Sequence, residues 1–456
     1  MVFSSVRHIH FVGIGGIGMS GIAEILLSQG FSVSGSDLHR TEVTDHLASL
    51  GARICVGHSA DHLGDAEVVV YSSAVRPDAN PETRAALDRK IPIIRRAEML
   101  SEVSRLKYCL AIAGTHGKTT TTSMCGLVMM KAGMDPTVIV GGKLNGLGGS
   151  NARLGHGDWI VLEADEYDRS LLQLLPTIAI ITNVEADHLD IYSDLDDIKE
   201  AFCEFTNKVP FYGTACVCID DEGVRDILPS ISRVVMTFGT SDDATVRATN
   251  IVYTQRNTTF TLTVNGVDRG EIMLHVPGEH NVRNALAACA MALRCGIAFE
   301  MIRDGLADFG GVYRRFELRG ERNGVLVIDD YAHHPTEIRA TIDAARNGWP
   351  GRRVVAVFQP HTYTRTRDFV DEFASACAEA DVVVLTDVYA AREQPIPGIT
   401  GELLATAARA LGHSSVHYVP NVVDVAGQIS GMLQPGDVVL TMGAGDIHKV
   451  ATALVD

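Results

Sequence analysis

The sequence predicts an α/β protein of three domains: a Rossmann-like domain at the N-terminus, a central α/β domain built on a P-loop with added antiparallel strands, and a second Rossmann-like domain at the C-terminus. Three observations carry this reading. The 456 residues exceed what one hydrophobic core usually supports. Short β-branched runs alternate with helical stretches in three separate regions, the rhythm of βαβ units. Two glycine-rich segments, GIGGIG at Gly13–Gly18 and GTHGKTTTT at Gly114–Thr122, each follow a strand-like run and open a helix-like one, the context in which backbone N–H groups meet phosphate.

The first region begins with HIHFVGI (His8–Ile14), passes through a helix near Ser20–Ser28 and the strand FSVSGSD, and adds strands at ARICVG and EVVVYSS. The apolar group IPIIRRAEML ends it, and a boundary is expected at Leu106. The second region offers strands at KYCLAIAG, PTVIVGG, DWIVLEAD and TIAIITN, which suit a mainly parallel sheet. Strand signals then crowd together in VRATNIV, TFTLTVNG and EIMLHVP, read as an antiparallel addition, and His280–Cys295 reads as an alanine-rich helix. The third region, from Tyr313, sets VLVIDDYA, RRVVAVFQP, DVVVLTDVY and DVVLTMGAG between helical stretches. The expected domains are therefore 1–106, 107–312 and 313–456.

A hydrophobic content of 46% with 21% charged residues is ordinary globular composition. No uninterrupted apolar stretch reaches the length of about 18 residues that a membrane span needs. Glycines break the N-terminal apolar run too early for an export signal, so a cytoplasmic setting is expected. The nine cysteines are scattered, and Cys216 and Cys218 lack the two-residue spacer of zinc or redox motifs, so reduced core thiols are expected. A formal net charge of −17 opposes binding to nucleic acid. Anionic small molecules would need glycine-rich backbone, magnesium or individual arginines to receive them.

GIGGIG, with Asp37 after the next strand, is the pattern of a dinucleotide site, and a nucleotide-sugar diphosphate needs the same backbone cradle. GTHGKTTTT is sharper. Lys118 would neutralise β/γ-phosphates and Thr119 would bind magnesium, although Ile112 stands where the usual first glycine would be. EADEYD (Glu163–Asp168) and NVEADHLD (Asn183–Asp190) close successive strands. Acidic groups at that edge of an open sheet, with Glu163, Asp165, Asp187 and His188 among them, can converge on the P-loop and suit Mg²⁺. Farther on, His280, Asn281 and Asn284 open a helix where they could read a base edge. Polar groups gather again at Arg314, Arg315, Asp329, Asp330, Tyr331, His333, His334, His361, Arg365 and Arg367.

Together GIGGIGMSG, GTHGKTTT, EADE, NVEADH, HNVRNA, DDYAHHPTE, FQPHTYTRTRD and TMGAGDI closely resemble the Mur ligase family over nearly the whole chain. The resemblance implies that residues 1–106 bind a UDP-linked substrate, 107–312 bind ATP and 313–456 close over ATP and an amino acid. The implied reaction joins L-alanine to the lactyl carboxylate of UDP-N-acetylmuramate through an acyl phosphate, a step of peptidoglycan synthesis. Gly114, Thr115, His116, Gly117, Lys118, Thr119 and Thr120 would cradle ATP, with His280, Asn284, Arg315 and Asp330 as further nucleotide contacts. Thr119, Glu163 and His188 would hold Mg²⁺. Gly15, Gly16, Gly18, Asp37, Ser72 and Ser73 are the implied UDP-substrate contacts, and Tyr331, His333 and Arg365 the alanine contacts. Lys118, His188, His333 and Arg365 carry the chemistry, with a monomer or weak homodimer as the expected state. Two departures from the family pattern stand at Thr362 and Tyr167. The rival readings are a tripeptide-recycling ligase for the same UDP sugar, an NAD-dependent dehydrogenase, which would leave GTHGKTTTT unused, and a non-catalytic nucleotide-binding protein.

Overall fold

The computed structural model describes residues 6–72, 74–141, 152–189 and 191–456. Contacts divide the chain into two compact units, one of Met1–Asp187, Ile191–Val246 and Ala287–Gly305, the other of His188–Asp190, Arg247–Leu286 and Leu306–Asp456.

The first unit holds two sheets. Strands β1 (His8–Val12), β2 (Ser32–Asp37), β3 (Arg53–Val56), β4 (Val68–Tyr71) and β5 (Ile93–Arg95) form a parallel sheet in the order β3-β2-β1-β4-β5. The order reverses between β1 and β4, so the loops leaving them, Gly13–Gly16 and the one at Ser72, flank the crevice where open α/β sheets take their ligands. The second sheet is built from β6 (Tyr108–Ala113), β7 (Thr137–Ile139), β8 (Ala152–Arg153), β9 (Trp159–Glu163), β10 (Ile178–Ile181), β11 (Thr214–Cys218) and β12 (Val235–Gly239), in the order β12-β11-β10-β6-β9-β7-β8. All of these pairings are parallel except β7 with β8. Strands β6, β10 and β11 are apolar along nearly their whole length because helices cover both faces of a parallel sheet.

In the second unit, β13 (Val246–Thr254), β14 (Asn257–Val264) and β15 (Val267–Leu274) are consecutive neighbours, and β14 and β15 pair antiparallel. Alternation of buried and partly exposed residues along β14 marks a strand with one face on a core. A further sheet contains β16 (Glu317–Arg322), β17 (Val325–Asp330), β18 (Val354–Phe358), β19 (Val382–Leu385), β20 (Val416–Tyr418) and β21 (Val438–Met442), ordered β16-β17-β21-β18-β19-β20. Only β16 runs antiparallel to its neighbour. The sheet is parallel, as the sequence requires, with one antiparallel edge. Gln255, in the turn after β13, accepts no side chain opposite it: a Cβ on Gly348 would lie 2.5 Å from the Gln255 carbonyl oxygen, and the Gln255 N–H donates to the Gly348 carbonyl at 3.0 Å.

All nine cysteines are free thiols. Burial pushes Cys109 and Cys216 up to about 12, as inert core thiols require. Among the described residues no helix is long and apolar enough to cross a membrane.

Behind β1 and β2 lies a buried polar network. Glu82 is fully buried, accepting bonds from Ser36 at 2.6 Å and pairing with His62 Nδ1 at 2.8 Å and His58 Nδ1 at 3.2 Å. His10 Nδ1 meets Ser34 at 2.7 Å, while its Nε2 stands 3.8 Å from Glu82 with no hydrogen bond. Burial opposes the charge on Glu82, yet the nearby His10 imidazole and the hydrogen bonds from Ser36 and His62 overcome it and hold the carboxyl at about 2. Burial also lowers the His10 pKa. Both shifts act in one direction. The stability they supply is complete above the ordinary histidine pKa of about 6.5 and is lost as pH falls, first as His10 takes a proton and then as Glu82 does. Glu82→Gln should cost about 3 kcal/mol at pH 7 and flatten the acid limb of a plot of urea midpoint against pH; an unchanged limb would place acid lability elsewhere.

Candidate active site

Strand β6 lies between β9 and β10, so three loops leave the carboxyl edge of the sheet side by side. The loop after β6 runs straight into the helix Lys118–Lys131, whose N-cap Gly117 has φ 83°. Gly114 has φ 139°, and a Cβ there would fall 1.9 Å from the Thr182 hydroxyl oxygen, so only glycine fits. The closeness serves a purpose. Thr182 Oγ1 donates to the His116 carbonyl at 2.6 Å, Asn183 Nδ2 donates to the same carbonyl at 3.1 Å, and Asn183 Oδ1 accepts the His116 N–H at 2.8 Å. Thr115 Oγ1 accepts the Glu185 N–H at 2.9 Å. The end of β10 therefore moulds the loop in advance, and the helix behind it presents its N-terminal N–H groups to an anion.

Lys118 folds back over the loop. Its Nζ donates to the carbonyls of Gly114 and Thr115 at 2.6 and 3.2 Å and to both oxygens of Glu166 at 2.9 and 2.7 Å. Burial alone would depress the lysine, but the charges of Glu166 and Asp165 outweigh it and raise its pKa. Glu163 leaves β9 beside it and accepts the Gly141 N–H at 2.7 Å, with the Thr119 side chain among the groups that favour its charge. Burial pushes the Glu163 carboxyl above the usual range. Thr120 and Asp187 are also buried. The first unit thus unites Gly114, Thr115, His116, Gly117, Lys118, Thr119, Thr120 and Glu163. His188 takes a left-handed φ of 52° and is grouped with the second unit.

At the other sheet of this unit, Gly13 has φ 82° and leads into the N-cap Gly16 of the helix Ile17–Ser28. Asp37 Oδ2 accepts the Gly15 N–H at 2.8 Å and Oδ1 accepts that of Leu38 at 2.8 Å, so its carboxylate shapes the glycine loop. Ser72 continues from β4, its N–H donating to Val12 at 3.1 Å. Ser73 lies outside the described residues. A Cβ on Gly18 would meet Arg96 Nη1 at 2.8 Å, and Arg96 Nη2 stands 4.0 Å from Asp165, which places a guanidinium beside the loop.

In the second unit the carboxyl ends of β17, β18 and β21 carry the polar groups. Arg314 is buried and bonded through each guanidinium nitrogen, to Asp329 at 2.8 Å and to the carbonyls of Gly443 and Gly445 at 2.7 and 3.1 Å. Arg315 instead reaches Glu337 at 3.3 Å and lies over the Tyr331 ring at 5.2 Å. Asp330 accepts the N–H groups of Phe316 and Ala332, both at 2.8 Å, and burial raises it to about 6. The His333 ring lies 5.3 Å from Tyr331 and 5.9 Å from His361, and Arg365 Nη1 meets His361 Nδ1 at 3.4 Å. Tyr331, His333 and Arg365 are thereby brought together through His361. His280 is pushed down to about 4 by burial and by the charges of Arg283 and Arg315, and the buried Asn284 contacts Asn281 at 3.4 Å.

Three family models match the chain: "Mur ligase family, catalytic domain" over residues 8–108, "Mur ligase middle domain" over 112–292 and "Mur ligase, glutamate ligase domain" over 314–445. A UDP-N-acetylmuramate–L-alanine ligase of Salinibacter ruber is 56% identical, covering 99% of this chain and 95% of that protein. One of Trichlorobacter lovleyi is 53% identical, covering 100% and 99%. The chain belongs to the Mur ligase family. Among solved structures, the UDP-N-acetylmuramate-alanine ligase of Thermotoga maritima superposes with a TM-score of 0.81 at 33% identity, covering 99% of this chain and 98% of that one. A murein peptide ligase of Psychrobacter arcticus gives 0.70 at 26% identity, with 99% of both chains covered.

For this Mur ligase, sequence reasoning missed Glu166, Thr182, Arg96 and Glu337. Glu166 stands within the EADE motif, so a buried acid near a P-loop lysine was the available signal; the others required knowing which strand ends are neighbours. Tyr167, a departure from the family pattern, is 41% exposed, and its N–H donates to Asp165 at 3.2 Å. Thr362, the other departure, holds φ 65° with its N–H on the Tyr389 carbonyl at 2.9 Å, an outlying conformation for a β-branched residue. Gly114→Ala tests the loop directly. Clash and strain together should cost about 2–4 kcal/mol and abolish nucleotide binding, read by urea unfolding and by equilibrium titration with a fluorescent ATP analogue; normal binding would show that the loop tolerates a side chain.

Proposed function

We propose that this Mur ligase joins L-alanine to the lactyl carboxylate of UDP-N-acetylmuramate at the expense of ATP, in the cytoplasm. The observation that carries this reading is identity above half, along the full chain, to ligases named for those two substrates. The division 1–106, 107–312 and 313–456 is proposed to separate UDP-substrate, ATP and amino-acid functions.

A carboxylate is a poor acyl donor at neutral pH, so it is first phosphorylated. Its oxygen attacks the γ-phosphorus of ATP, ADP departs, and an acyl phosphate results. Lys118 exchanges Glu166 for the β/γ-phosphates, while the loop N–H groups hold them in line. The paired oxygen donors Thr119 and Glu163 fit a hard cation, and with His188 they would hold Mg²⁺, which supplies charge neutralisation between the two anions. Arg315 is assigned to the ATP phosphates, Asp330 to the ribose, and His280 and Asn284 to the base. Gly15, Gly16, Gly18, Asp37 and Ser72 are assigned to the UDP substrate. Arg365 receives the alanine carboxylate, for which a guanidinium is the best-shaped partner. The alanine ammonium then yields one proton to a base and attacks the acyl carbon. The bond from that carbon to the phosphate oxygen breaks, and the departing phosphate takes the amine's second proton.

The test mixes protein, Mg²⁺, ATP and UDP-N-acetylmuramate with L-alanine, glycine, L-serine or a tripeptide and follows phosphate release and product mass. L-alanine should be the preferred amine; a product only with the tripeptide would assign the chain to peptide recycling instead. Lys118→Ala should lower kcat by about 10³-fold. It also strands the buried Glu166, so the paired variant Lys118→Ala/Glu166→Gln should regain most of the lost thermal stability without regaining turnover.

A further inference from the structure

Glu337 occupies the first turn of the helix Pro335–Gly348, and its carboxylate is shared. Oε1 accepts from Arg315 Nη1 at 3.3 Å. Oε2 accepts the backbone N–H of His333 at 2.9 Å and lies 3.2 Å from His333 Nδ1. The Tyr331 carbonyl oxygen lies 3.0 Å from the same Nδ1. Both groups facing Nδ1 are acceptors, a carboxylate and a carbonyl. Neither can donate, so Nδ1 must carry the proton, and in the neutral ring Nε2 is then the basic nitrogen.

From this we infer that Glu337 is a positioning residue that holds Arg315 and fixes the Nδ1–H tautomer of His333, making His333 Nε2 the atom that takes the first proton from the incoming amine. The inference rests on the ligase reading above. One carboxylate thus serves both halves of the reaction: it sets the guanidinium assigned to phosphate and the imidazole assigned to the amine. The charged and titratable groups around His333 within the second unit include Glu337, Tyr331 and His361, with Arg315 beyond Glu337 and Arg365 beyond His361. A glutamate in a first helical turn is also a common helix-capping group. Capping explains the bond to the backbone N–H, but not the bond to Arg315 or the two acceptors at Nδ1.

Glu337→Gln discriminates, because the amide places an N–H donor or a single oxygen where two cationic or N–H partners now share a carboxylate. The full chain is assayed with ATP, Mg²⁺ and UDP-N-acetylmuramate in two arms. Without an amino acid, hydroxylamine traps the acyl phosphate as a hydroxamate; with L-alanine, glycine, L-serine or a tripeptide, the ligated product is read. Whichever amine the unaltered protein accepts carries the comparison, so a wrong amine overturns only the ligase reading. Glu337→Gln should lower ligation by about 10²-fold and remove the acid limb from the pH profile of kcat/KM for the amine. Hydroxamate formation should fall less, by about tenfold, through the loosened Arg315. Added to His333→Gln, it should cost no more than about twofold further in ligation, since the two act as one device. Glu337→Asp keeps the carboxylate and should retain the acid limb at reduced turnover, which also covers the case in which the glutamine variant fails to fold. A folded Glu337→Gln protein with an unaltered acid limb, or a cost fully additive with His333→Gln, would reduce Glu337 to a helix cap and overturn the inference.

Discussion

A buried ammonium facing a buried carboxylate governs the central site. Lys118 donates to two loop carbonyls and to Glu166, and its charge survives burial only because Glu166 and Asp165 stand beside it. The pair ties the exit of β6 to the exit of β9. On the other flank, Thr182 and Asn183 tie the same loop to β10. The loop is therefore fixed by three strands before any ligand arrives, so little conformational entropy remains to be lost on binding.

Two neighbouring arginines in the second unit show how the same kind of pair can be structural or available for chemistry. The Arg314 guanidinium makes one bond from each nitrogen, to Asp329, Gly443 and Gly445, in a buried setting. It locks the loop after β21 to β17. Arg315 lies on an aromatic face with one long bond to a carboxylate. A weak, partly exposed bond can be exchanged for a phosphate; a buried triple one cannot.

This difference marks the limit of what the sequence reveals. Arg314 and Arg315 are adjacent in YRRFE, and no local pattern says which faces inward. The long parallel strands were legible because burial on both faces demands continuous apolar runs, as in KYCLAIAG and DVVLTMGAG. Edge strands were not: β16 is ELRGER, polar because it is an edge, and β20 has three residues. The P-loop, Glu163 and the polar group of Tyr331, His333 and Arg365 could be located from sequence because their motifs sit at strand ends, where parallel sheets gather ligands. The roles of Thr182, Arg96 and Glu337 depend on strand order and helix placement, which a linear sequence does not carry. Asp37 illustrates a subtler limit. Its position at the end of β2 was legible, but its first partner is the Gly15 N–H.

The recurring use of carboxylates to hold cations also reconciles a net charge of −17 with ligands that are themselves anions. Lys118 rests on Glu166, Arg315 on Glu337, and Arg96 approaches Asp165. Binding a phosphate or carboxylate to such a cation is an exchange of one anion for another, not the addition of an anion to an exposed positive charge. Affinity then depends on what the ligand offers beyond the resident carboxylate: more charge per group, a geometry that also meets the loop N–H groups, or a second contact. A simple anion offers none of these. A triphosphate seated on the P-loop offers all three, so the acidic surroundings repel adventitious anions while leaving the intended one a net gain.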